Sequence, residues 1–199
     1  MAGSRVRSPF GVALVATVLA GLVTALVLSF VLEDEAPSEE PAVLTLAPGP
    51  DDGTVPQSDL QGEPAPDFSY ARLDDPEGDE VDFDAFRDGR PAVVNFFYKD
   101  CPPCVVEMPA LQEAYEAYGD RVAFLGLSYQ ESVEDGLELV DRTGVTYEVG
   151  RDPAGDLITA FAGVGLPTTV FIAADGTINA THTGDVRADL EAELEELVA

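Results

Sequence analysis

The 199-residue chain has no tryptophan, one histidine (His182), one lysine (Lys99) and two cysteines (Cys101 and Cys104). Basic residues are scarce as a class: ten Lys+Arg against 38 Asp+Glu give a formal net charge of -28. Without a basic stripe to neutralise phosphates, the chain does not read as a nucleic-acid binder. The same deficit disfavours docking on anionic lipid head groups. Zinc needs two ligands beyond a single cysteine pair, and neither a second pair nor a second histidine exists. What the chain has in quantity is apolar surface, 46% of its residues. That is too much for a wholly disordered polymer, and the length suits one globular domain with appendages.

Charge is absent altogether from the 24 residues Pro9–Leu32. Roughly 20 apolar residues cross a bilayer core, so 9–32 is predicted to be a transmembrane helix. The rival is a cleavable signal peptide, whose apolar region runs about 7–15 residues and ends in a small-x-small site. Here the run is longer and passes straight into Glu33, Asp34 and Glu35, with no cysteine nearby for lipid modification. The expectation is an uncleaved anchor. Arg5 and Arg7 precede it and acids follow, which keeps residues 1–8 cytoplasmic and places 33–199 outside the cytoplasm. Residues 33–62 hold eight acids, five prolines and no basic residue, an acidic linker that cannot offset its own ordering entropy. Residues 63–199 remain as the folded domain.

Within that domain strand and helix patterns alternate. Pro91–Tyr98 is an almost continuous apolar run, the mark of a strand covered on both faces. Cys104, Met108, Leu111 and Tyr115 then fall at helical spacing over 102–118, closed by Gly119. A second buried strand covers 122–127. Ser132 can cap a helix that ends at Gly144, and a short helix follows near 154–162. The Asp175-Gly176 turn joins strands 168–173 and 177–181 into a hairpin, and a helix with Leu190, Leu194 and Leu197 on one stripe closes the chain. This order predicts an α/β fold: a mixed central sheet flanked by helices.

The chemistry sits at Cys101-Pro-Pro-Cys104. Cys101 follows a buried strand and opens a helix, where unpaired backbone N–H groups and the helix dipole favour thiolate. Cysteines in such motifs have pKa values lowered to about 3.5–7.5. Pro102 and Pro103 are tolerated because first-turn N–H groups have no intrahelical partner to lose. Cys101 is therefore the expected nucleophile and Cys104, a turn deeper, the resolving thiol. An inert staple across so short a loop would remove little chain entropy.

Asn95-Phe-Phe-Tyr-Lys-Asp-Cys-Pro-Pro-Cys-Val-Val-Glu-Met-Pro109, with Gly165-Leu-Pro-Thr-Thr-Val-Phe-Ile172 and the Ala174-Asp-Gly-Thr177 turn, resembles the membrane-anchored thioredoxin-like proteins of the TlpA/ResA/CcmG group. Ala65-Pro-Asp-Phe68 and Val81-Asp-Phe-Asp-Ala-Phe86 look like the added N-terminal strands of that group. The resemblance covers 63–199. It implies a thioredoxin-like fold and thiol–disulfide exchange, with a reducing role toward exported proteins such as apocytochrome c or copper-site proteins. It further implies a membrane thiol transporter of the CcdA/DsbD kind as electron donor, and no bound cofactor. Cys101 and Cys104 match the redox pair, and Pro167 matches a cis-proline that lies against it. Glu107 matches a buried carboxylate that serves as proton shuttle for Cys104, and Asn95 stands where thioredoxin has a buried Asp. One position departs from the group: Asp100 occupies the place of its tryptophan.

Three other functions compete. A disulfide-forming oxidase would differ only in redox potential. Peroxidase chemistry on this fold needs Pro and Thr/Ser seven and three residues before the reactive cysteine, where this chain has Val94 and Tyr98. A copper chaperone would require His182 beside Cys101; on the hairpin's second strand, His182 reads as a surface or packing residue.

Overall fold

The computed structural model describes residues 60–199, so the expected anchor (9–32) and most of the acidic segment lie outside the described residues. A short antiparallel ribbon, β1 (Ser69–Tyr70) and β2 (Val81–Asp82), leads into α1 (Phe83–Arg87). Then come β3 (Ala92–Phe97), α2 (Pro102–Tyr118), β4 (Ala123–Tyr129), α3 (Val133–Thr143), β5 (Glu148–Asp152) and α4 (Asp156–Ala160). The hairpin β6 (Thr168–Ile172) and β7 (Ile178–Thr183) and the helix α5 (Leu190–Leu197) complete the chain. The main sheet runs β5-β4-β3-β6-β7; β3, β4 and β5 are parallel, while β6 and β7 pair antiparallel. It is the expected mixed sheet with helices on both faces.

Burial explains the strand patterns. All six residues of β3 are buried, because Val93 and Phe97 face one core and Val94 and Phe96 the other. The first core joins them to Met108 and Leu111 of α2, Phe171 of β6 and Leu190 and Leu194 of α5. The second gathers Leu125, Leu127, Val170 and Ile172 under Tyr70, Phe83 and Phe161.

Two local expectations are corrected. Val81–Phe86 is strand only over Val81–Asp82; the Asp82 carboxylate accepts the Ala85 N–H at 2.8 Å and starts a helix. Ala65–Phe68 is not a strand, and the pairing begins at Ser69. Strand β5 was not foreseen at all. The folded chain also reaches back into 60–62, where Leu60 packs on the second core and the Gly62 N–H donates to the Ile178 carbonyl at 2.9 Å.

Candidate active site

Cys101 ends the loop after β3 and caps α2. Its backbone is extended (φ −99°, ψ 99°), its N–H donates to the Tyr98 carbonyl at 3.3 Å, and its Sγ accepts the Cys104 N–H at 3.2 Å. Pro102 and Pro103 fill the first two helical positions. Cys101 and Cys104 form a disulfide with Cα atoms 5.3 Å apart. Cys101 is 4% exposed and Cys104 is fully buried, so an incoming sulfur reaches Cys101 first.

Cys101 opens onto a groove of about 440 Å³ between the start of α2 and the segment running from α4 to β6. Tyr98, Tyr129, Ile158, Val164 and Leu166 shape it, and no residue lining it carries a charge. In so acidic a chain that is a distinct patch. A second groove of about 460 Å³ lies against β2, α1 and the β6–β7 turn and contains no cysteine. Three of its four acids are engaged locally: Asp82 caps α1, Asp84 pairs with Arg87 and Asp175 accepts the Thr177 N–H.

The loop before Cys101 is clamped to the β4–α3 region. The Lys99 N–H donates to Glu131 Oε2 at 2.8 Å, and Glu131 Oε1 accepts the Ser128 hydroxyl at 2.7 Å. Lys99 Nζ meets Asp135 at 2.7 Å and Glu138 at 2.9 Å, while Arg142 donates to the Lys99 carbonyl at 2.8 Å. Hydrogen bonds donated to these two carboxylates hold the Lys99 pKa above the ordinary lysine range. The only lysine is thereby neutralised, which leaves Asp100 as the exposed charge adjoining Cys101 in sequence.

Glu107, three residues beyond Cys104 on α2, is fully buried. Its Oε1 accepts Asn95 Nδ2 at 2.8 Å and the Thr169 hydroxyl at 2.9 Å; its Oε2 accepts the Val186 N–H at 2.8 Å. Burial raises its pKa and the nearby Asp185 adds to the rise, against the lowering effect of the three donors. Asn95 also donates to Thr169 Oγ1 at 2.9 Å, and its own Oδ1 has no partner among the described residues. The Leu166–Pro167 peptide is cis; Pro167 is buried and its carbonyl accepts the Gly184 N–H at 2.8 Å.

The fold thus gathers Cys101, Cys104, Glu107 and Asn95 on β3 and α2, with Leu166 on the groove's edge beside Pro167. His182 stands apart. Its Nε2 shares a hydrogen bond with Glu193 of α5 at 2.9 Å, its ring meets Phe171 edge-on, and it does not line the groove. Val94 is buried in the second core and Tyr98 is on the groove. Sequence reasoning missed Thr169 and the Val186 N–H. A threonine pair inside an otherwise apolar buried strand was the available signal for the first, since buried polar side chains need partners.

Comparison with known proteins agrees with this geometry. The model of the AhpC/TSA family matches residues 61–181. The thiol-disulfide oxidoreductase ResA of Halalkalibacterium halodurans is 30% identical over 138 residues, covering 69% of this chain and 76% of that protein. The thiol:disulfide interchange protein DsbE of Yersinia pestis is 31% identical, over 68% of this chain and 71% of its own length. The crystal structure of a thioredoxin-family thiol:disulfide interchange protein from Chlorobium tepidum TLS superposes with a TM-score of 0.60 at 26% identity, covering 68% of this chain and 96% of that one. The chain belongs to the AhpC/TSA family, and with its thioredoxin-like α/β fold and Cys101–Cys104 disulfide it is a thiol–disulfide oxidoreductase of the ResA and DsbE type.

Proposed function

We propose that this protein is an extracytoplasmic disulfide reductase, anchored by residues 9–32, that reduces disulfides in exported polypeptides such as apocytochrome c. A membrane thiol transporter of the CcdA/DsbD kind restores its dithiol. One observation carries the reading: Cys101 lies at an uncharged groove while Cys104 and Glu107 are sealed behind it. Such asymmetry suits a dithiol that acts on a polypeptide in two steps. Cys101 thiolate attacks one sulfur of the substrate disulfide, and the other leaves and takes up a proton. Cys104 then gives its proton to Glu107 and attacks Cys101 Sγ, which closes the enzyme disulfide and releases the second substrate thiol. Two electrons and two protons pass to the substrate. Leu166 and Pro167 form the edge along which an extended substrate chain lies.

The reducing direction draws support from charge. Asp100 beside Cys101, with Lys99 neutralised, disfavours the thiolate and so destabilises the reduced form, which makes the pair a stronger reductant. The test uses the reduced protein and a Cys-x-x-Cys-His peptide oxidised to its internal disulfide. Stoichiometric appearance of peptide thiols is expected. No transfer to a peptide that dithiothreitol does reduce would refute the substrate class. Membrane fractionation with protease protection tests the topology, and a soluble product starting near Ala36 would refute the anchor.

A further inference from the structure

Asp152, the last residue of β5, is a carboxylate with 2% exposure and no ion pair among the described residues. Both of its oxygens accept backbone N–H groups. Oδ1 accepts the Gly155 N–H at 3.0 Å and the Leu157 N–H at 3.2 Å, and Oδ2 accepts the Ile158 N–H at 3.0 Å. These are first-turn donors of α4, a five-residue helix whose N-cap, Gly155, has no side chain to offer. A helix this short does not stand on its own propensity. Asp152 therefore sets where α4 begins and how it points.

What α4 holds is the groove. Ile158 and Thr159 line it directly. The helix end then fixes the next loop, since the Ala162 N–H donates to the Thr159 carbonyl at 2.9 Å and the Gly163 N–H to the Ile158 carbonyl at 2.8 Å. Ala162 is held at φ +54°, a conformation that L residues avoid unless their surroundings impose it. Val164, 54% exposed, and Leu166 follow on the same wall. Asp152 itself lines no part of the groove and touches neither cysteine.

We propose that Asp152 is a positioning residue for substrate choice: through α4 it holds the wall that receives the uncharged, apolar side chain flanking the cysteine of a polypeptide substrate. The occupant follows from the groove's place and chemistry. Anything seated there belongs to the molecule whose disulfide meets Cys101, and a charged side chain would find no partner among the lining residues. The inference rests on the reading that the substrate is a polypeptide disulfide.

The experiment compares two disulfides reduced in single turnovers by the full protein, itself reduced beforehand and freed of reductant: an oxidised Cys-x-x-Cys peptide with leucine beside the attacked cysteine, and 5,5′-dithiobis(2-nitrobenzoate), too small to span the wall. KM and kcat here are the half-saturating disulfide concentration and the limiting single-turnover rate constant. Asp152→Ala should raise KM for the peptide about tenfold, with kcat changed less than about twofold. Asp152→Asn keeps an oxygen for Gly155 and Leu157 but turns its amide toward the Ile158 N–H, so an intermediate rise of about threefold is expected. Being isosteric, this variant carries the test should Asp152→Ala fail to fold. Replacing the peptide's leucine with aspartate should raise the wild-type KM and leave less for the Asp152 variants to lose. Unchanged peptide KM in Asp152→Asn, while amide exchange at 155–158 accelerates, would overturn the proposal. So would a reduction potential that moves together with KM, because Asp152 would then be acting on the sulfurs. A wild-type protein that reduces the small disulfide and not the peptide would instead bring down the substrate reading itself.

Discussion

Glu107→Gln separates charge from shape at the buried end of the site. The carboxylate is enclosed, with Asn95 and Thr169 on one oxygen and the Val186 N–H on the other. Glutamine can keep the first two with its carbonyl, but its amide nitrogen then faces the Val186 N–H. One buried donor loses its acceptor, at a cost of about 1–3 kcal/mol. Against this, the amide has no charge to desolvate. Burial raises the Glu107 pKa, and Asp185 adds to the rise in spite of the donors. A carboxyl with a folded pKa above its unfolded value of about 4.3 contributes its full stability below the unfolded value and loses it as pH rises through the folded pKa. The wild-type advantage over Gln is therefore largest near about pH 4 and shrinks toward about pH 8. Urea melts of both proteins across that range measure it. Stopped-flow closure of the enzyme disulfide is the functional counterpart: an amide takes no proton from Cys104, so closure should slow about 10²-fold and lose its lower pH inflection. A stability gap that widens with pH would mean that the fold favours the ionised carboxylate, and the proton-carrier reading of Glu107 would fall.

Other outcomes follow from the same geometry. Cys104→Ser should trap a substrate in mixed disulfide with Cys101, and Cys101→Ser should trap none; gel mobility with and without reductant decides, and a partner held by Cys104 would reverse the roles. Asp100→Asn should increase the thiolate fraction of Cys101 about threefold at low salt, the scale of an exposed charge interaction, and make the pair less reducing. Iodoacetamide reactivity against pH reads this effect, and no change at low salt would show that Asp100 does not act on the sulfur. Gly150→Ala drives a methyl into the buried Tyr70 ring, whose Cγ would lie 3.0 Å from it. Overpacking of this kind costs about 1–3 kcal/mol, seen as a fall of several degrees in Tm with thiol reactivity preserved.

The legible parts of the sequence were those where one physical demand dominates. β3 reads as a buried strand because both its faces are covered, and Cys101-Pro-Pro-Cys104 reads as a helix start because first-turn positions tolerate proline. β5 was not legible, since Glu148-Val-Gly-Arg-Asp152 has no apolar alternation. Its side chains are spent on single contacts: Glu148 pairs with Arg72 at 3.2 Å, Gly150 makes room for Tyr70, and Asp152 caps α4. The segment 81–86 misled in the opposite way. Its resemblance to an added N-terminal strand of the group implied a strand, yet the Asp82 cap and the left-handed Asp88 (φ 49°) make 83–87 a helix. At the site, Glu107 could be placed from helical spacing. The Val186 N–H that holds it could not, because a backbone donor 79 residues away leaves no trace in side-chain pattern.

The reduction potential of the Cys101–Cys104 pair, measured by equilibration in dithiothreitol redox buffers, tests the central claim most directly. A reductase of exported polypeptides requires a value near that of thioredoxin, about -270 mV, or lower; a value near about -120 mV would make the protein an oxidant and contradict the account.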